Sequence, residues 1–267
     1  MNITLLYDSA KNWLEEHSHL THLTLPALVS LVCILMLGFQ DADEDYTSLS
    51  LSRNSTWGRG VTYAFVHEDA NHLIYNAISL AIGGVWFEIV HGTWAALSLF
   101  LVSCSGAGLV HCATNKGPVI GMSAVVVAFL AAQLATMLLN WTEMPLRYLR
   151  ALCFTIALSL MLVDDVHQLA DTKDSSRFAV EAHIVGAIVG LMMTIVIGKN
   201  INIRDCELHI GAVCYVLVPV CFLIIGIVCD LKELCILPTV ASALMPLPFL
   251  LRRQVDTWSY SVRDEQV

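Results

Sequence analysis

The feature that most constrains this chain is a series of apolar stretches too long for the interior of a soluble domain. A helix crosses a bilayer with about 20 consecutive apolar residues. Runs free of Asp, Glu, Lys and Arg extend over 17–40, 70–87, 89–115, 117–142, 182–198, 208–229 and 234–251, with a shorter one at 151–163. Glu88 separates the second run from the third, and His91-Gly92-Thr93 reads as a tight turn between two spans. The 151–163 run reaches spanning length if Arg147 and Arg150 snorkel to one surface. Spans are therefore expected at 22–39, 71–90, 94–112, 120–139, 146–163, 179–198 and 210–229. The 234–251 run carries Pro238, Pro246 and Pro248. Proline costs about 3 kcal/mol inside a helix, so this run reads as re-entrant or surface-lying rather than as a further span.

Composition agrees: 57% of residues are hydrophobic and 14% charged, against roughly 25% charged in soluble domains. The fold class is all-α, a polytopic transmembrane helix bundle. Acidic residues outnumber basic ones by 23 to 14, which removes the positive surface that nucleic-acid binding requires. The nine cysteines are an odd number. Cys33, Cys104, Cys112, Cys153, Cys214, Cys221 and Cys229 fall inside apolar stretches without metal-ligand or redox spacing, and read as small buried apolar side chains. No metal or cofactor is expected. Asp8, Glu15 and Glu16 precede the first arginine, Arg53, which argues against a mitochondrial presequence or a cleaved signal peptide.

The expected organisation is an N-terminal extramembrane segment over 1–21, a six-span core over 22–200 with a long first loop at 40–70, a seventh span within 201–229, and a C-terminal segment over 230–267 associated with the membrane or its surface. Long loops between spans are usually functional or disordered. This one opens with Asp41, Asp43, Glu44 and Asp45 and contains the sequon Asn54-Ser55-Thr56, which suits a luminal or extracellular side. A second sequon, Asn140-Trp141-Thr142, falls on the opposite side.

Strongly polar groups at membrane depth are costly and are either paired or functional. Apart from span ends, His72 and Asn76 in the second span, Ser123 in the fourth and His183 in the sixth stand out. In an up-down bundle these three helices enter from one face. Ser123 lies five residues after Pro118 and His183 six after Arg177, so each is expected about 8–9 Å below its helix start. Asn76 is one turn below His72 on the same face. Gly121 and Ala124 flank the serine, and Gly186 and Gly190 follow the second histidine on its own face. Small residues let membrane helices approach closely, which would bring the Ser123 hydroxyl within reach of the His183 ring.

These residues resemble the rhomboid family of intramembrane serine proteases. The loop and second span read Arg59-x-x-Thr62-x-x-Phe65-x-His67, then His72-x-x-x-Asn76. The fourth span opens Gly121-Met122-Ser123-Ala124, similar to the family's Gly-x-Ser-Gly, and the sixth reads Ala182-His183-x-x-Gly186-x-x-x-Gly190. Gly84-x-x-x-Glu88-x-x-x-Gly92 is a weaker echo. The resemblance covers about 55 to 200, and the chain departs from the usual pattern at Ala124, Val127 and the Trp57-Gly58-Arg59 spacing. A seventh span resembles the secretase-type members, which implies a secretory-pathway or plasma membrane rather than a mitochondrion.

The resemblance implies hydrolysis of peptide bonds in or near transmembrane segments of other proteins. Serine is a weak nucleophile until a base takes its proton. Ser123 is therefore expected as nucleophile and His183 as general base, in a dyad without a carboxylate. His72, Asn76 and the Ser123 backbone N–H would hold the oxyanion. Single-span substrates with helix-breaking residues, drawn laterally from the bilayer past the fifth span, are the expected partners. The rival is a rhomboid-like protein that binds or escorts membrane clients without cleaving them. A metalloprotease site fails on spacing, since His72 follows His67 by five residues, about 140° around a helix. An aspartyl protease fails because Asp164 and Asp165 are adjacent. A transporter would need inverted repeats or broken midplane helices, and none is seen before residue 200.

Overall fold

A computed structural model describes residues 49–114, 117–142, 144, 146–171, 180–200 and 205–250. The first expected span, 22–39, lies outside the described residues. The helix corresponding to the second is α1, Ala70–His91. Asp69 caps it, its carboxylate accepting from the backbone N–H of His72 at 2.8 Å. It ends at Gly92, whose φ of 94° is left-handed and favours glycine. The tight turn expected at His91-Gly92-Thr93 is thus present, and α2, Thr93–Thr114, starts directly after it.

Helix α3 covers Ser123–Asn140, α4 covers Arg147–Asp171 and α5 covers Val180–Ile197. Helix α6 runs over Asp205–Val228 and α7 over Lys232–Leu244. Among the described residues, six helices are long and apolar enough to cross a membrane: α1, α2, α3, α5, most of α6, and a segment Lys232–Leu250 that contains α7. Helix α4, at the span expected over 146–163, is 25 residues long with Arg147 and Arg150 in its first turn, and it is not one of these six.

The run 234–251 is helical over most of its length, contrary to the reading from its prolines. Pro238 sits inside α7, where its missing N–H costs one hydrogen bond, while Tyr215 Oη donates to the Ala243 carbonyl at 2.7 Å and Trp94 Nε1 to that of Met245 at 3.1 Å. Pro246 marks a turn, not a mid-helix break, and Phe249 N–H closes back onto its carbonyl at 3.0 Å. Tertiary packing against α6 and α2 offsets the local penalty.

Helix α2 is the centre of the bundle. Protein covers 83% of its apolar window, against 28% for α6, so α6 and α7 form an outer hairpin. That hairpin keys into the core where Phe222 lies over Gly106, a position at which a Cβ would collide with the ring. α1 is not a uniform α-helix: a π-turn over Ala81–Val85 interrupts it, and Gln133 Nε2 of α3 donates to the Gly83 carbonyl there at 2.8 Å. Such bulges are common at functional sites.

Candidate active site

Ser123 is the first residue of α3, not a residue one turn and more inside a helix beginning near Pro118. The reason is Gly121, whose φ of +97° breaks the backbone just before the serine. The 117–122 segment is held by the first loop. Leu51 and Val119 exchange two backbone hydrogen bonds at 3.0 and 2.9 Å, and Gly121 N–H donates to the Tyr63 carbonyl at 3.0 Å. Tyr63 Oη in turn donates to the Cys104 carbonyl of α2 at 2.8 Å. The loop is thus a clamp between α2 and the turn that presents Ser123.

His183 is in the first turn of α5, and its Nε2 lies 2.7 Å from Ser123 Oγ. Both residues are half-buried. Their meeting follows from the glycines of α5. A Cβ on Gly186 would stand 2.2 Å from the Ala124 carbonyl oxygen, and one on Gly190 would stand 2.2 Å from that of Ala128. The backbones of α3 and α5 are therefore in direct contact, while Ala107, Ala124 and Ala182 form a cluster of small buried residues beside the pair.

His72 stands against the same turn: a Cβ on Gly121 would lie 3.0 Å from His72 Cε1. Asn76, one turn further along α1, is 1% exposed. Neither its amide nitrogen nor its amide oxygen has a hydrogen-bond partner among the described residues. The structure therefore joins Ser123 to His183, sets His72 beside the serine turn, and leaves Asn76 buried with its donors free, without a bond to either.

Two residues to which the sequence reading gave no role make contacts beside the site. His67, in the connection before α1, is fully buried and lies edge-on to His72, ring centroids 5.2 Å apart. Burial, aided by the neighbouring His72, lowers its pKa to about 3. The folded state thus holds His67 neutral where the unfolded chain, near the usual 6.5, would bind a proton. Stability is expected to fall as pH drops below about 6.5 and to level off near 3; thermal unfolding across that range, with His67→Phe flattening the slope, checks it. The second feature is Glu181, two residues before His183, whose Oε1 lies 2.8 Å from His111 Nδ1 at the end of α2. That contact ties the start of α5 to α2 and turns Glu181 away from the dyad.

A family model described as the rhomboid domain matches residues 54–200. The chain belongs to the rhomboid family. The rhomboid match takes in Tyr63 and Gly121 of the clamp, both residues of the Ser–His contact and the two glycines of α5, whereas Leu51, α6 and α7 lie outside it. Over 163 residues the chain is 32% identical to Rhomboid-related protein 1 of Caenorhabditis elegans, covering 61% of this chain and 46% of that protein. Over 159 residues it is 28% identical to Rhomboid-related protein 3 of Homo sapiens, covering 57% of this chain and 39% of the relative. The Rhomboid-related protein 3 of Mus musculus is also 28% identical over the same length. The matched stretch is less than half the length of each of these relatives.

Proposed function

We propose that this rhomboid protein is an intramembrane serine endopeptidase that cleaves other membrane proteins in or near their transmembrane helices. The observation that carries the reading is the 2.7 Å contact between Ser123 Oγ and His183 Nε2 across two helices in backbone contact. In this mechanism His183 takes the Ser123 proton as the oxygen attacks the scissile carbonyl, then delivers it to the leaving amine. Water hydrolyses the acyl-enzyme by the same route. His72 and the unpartnered Asn76 amide supply donors for the oxyanion, assisted by the Ser123 N–H at the free start of α3. A substrate helix must first free its scissile carbonyl from backbone hydrogen bonds, so glycine or proline near the site favours cleavage.

A fluorophosphonate probe tests this directly. Detergent-solubilised native chain is expected to label covalently, and Ser123→Ala not at all. Absence of labelling on folded native chain overturns the protease reading and leaves a protein that binds or escorts membrane clients.

A further inference from the structure

A separate feature lies between α1 and α4, toward the membrane face opposite Ser123. Helix α3 starts at Ser123 and ends at Asn140, about 26 Å away, and α4 returns from that end. Arg150, in its first turn, is therefore near the far face. Trp141 and Tyr148, 41% and 69% exposed, mark the headgroup level there, where aromatic residues collect.

Arg150 is unlike its neighbour Arg147. Arg147 donates to the carbonyls of Trp141 and Thr142 at 3.3 and 3.2 Å and lies over the Tyr148 ring. Arg150 is only 8% exposed. Its Nε has no hydrogen-bond partner and it joins no ion pair among the described residues. Its guanidinium carbon lies 5.1 Å from the Trp86 ring centre. A buried charge without a counter-charge is expensive unless something ionic completes it. The guanidinium lines a cleft whose other walls include Ile82, Leu130 and Phe154. Gln133, which also lines the cleft, donates from its amide to the Gly83 carbonyl.

We propose that an anionic phospholipid binds across the mouth of this narrow cleft, its headgroup phosphate on Arg150 and the first part of an acyl chain along the half-buried Ile82 and Phe154. The planar guanidinium fork matches a phosphate better than a point charge does. A net negative ligand is selected over a zwitterionic one because no carboxylate among the described residues pairs with the guanidinium, and the apolar side chains beside it select a lipid over a free phosphate. The site does not depend on the dyad, so Ser123→Ala retains it whatever the outcome of probe labelling.

The test places the full chain in phosphatidylcholine nanodiscs with and without phosphatidylserine, and reads lipid retained in native mass spectra together with the unfolding temperature. The native chain is expected to retain phosphatidylserine over phosphatidylcholine and to unfold at higher temperature when it is present. Arg150→Gln weakens retention about ten-fold, whereas Arg147→Gln leaves it unchanged. Should Arg150→Gln fail to fold, Ile82→Trp, whose larger side chain covers the mouth of the cleft and keeps the arginine, is expected to lose the adduct as well. Equal retention by native chain and by either cleft variant overturns the proposal. So does phosphatidylcholine held as well as phosphatidylserine, or inorganic phosphate at matched ionic strength giving the whole thermal shift.

Discussion

Ser123→Ala, His183→Asn and the double variant are each expected to lower turnover of a single-span substrate by the same factor, on the order of 10⁶. The equality is the informative part. In the proposed mechanism Oγ and Nε2, 2.7 Å apart, share one proton, so removing either ends the transfer and removing the second has nothing left to take. Rates measured in reconstituted bilayers, on a substrate with glycine or proline in its helix, check it. A double variant slower than the singles by the product of their factors means that the two groups act separately and the dyad is wrong. Asn76→Ala, by contrast, removes one donor of the proposed oxyanion site and is expected to cost about 10²–10³. Ser123→Ala deletes a single half-buried oxygen at a helix start, so unchanged thermal unfolding accompanies the loss.

The second large effect concerns the helix contact that makes the dyad possible. Gly190→Val places a Cβ 2.2 Å from the Ala128 carbonyl oxygen and 2.9 Å from its Cα. Those are backbone atoms in a helix and have no rotamer to escape into. Helix α5 must move off α3, at a cost of about 1–3 kcal/mol or more. Gly186→Val does the same against Ala124, one turn from His183, and is expected to abolish both probe labelling and cleavage because the imidazole is carried away from the hydroxyl. Gly58→Ala is the control: nothing lies within 4 Å of a Cβ there and its φ of −63° is ordinary, so its effect stays within about 0.5 kcal/mol. Thermal unfolding of the three variants, with labelling on the folded fraction, separates packing from chemistry. Wild-type labelling by Gly186→Val would show that the dyad does not need the close approach.

Much of the site was legible in the chain because the information is local or periodic. Apolar run length sets where helices can cross a bilayer, and a polar residue inside such a run is conspicuous wherever it falls. His72, Asn76, Ser123 and His183 were found that way. The pairing of α3 with α5 was legible too, since Gly186 and Gly190 repeat every four residues on the face that carries His183. A glycine stripe at that spacing has few uses other than backbone contact. Proline counting failed at 234–251 for the complementary reason. It weighs a local cost and is blind to what the helix packs on, and the contacts of Tyr215 and Trp94 with α7 and the turn after it come from residues distant in sequence.

By itself, then, the sequence determined an all-helical membrane chain, the spans that carry the polar groups of the candidate site, and the small residues that let two of them touch. Tertiary structure alone decided that α3 begins at Ser123, because a loop from another part of the chain clamps Gly121 into a left-handed turn. It also decided that Glu181 meets His111, and that Arg150 is buried beside Trp86 with no ion pair among the described residues. Periodicity reports which face of a helix is apolar. Which partner a polar side chain meets on that face depends on how helices far apart in the chain are rotated against one another, and no local pattern records that rotation.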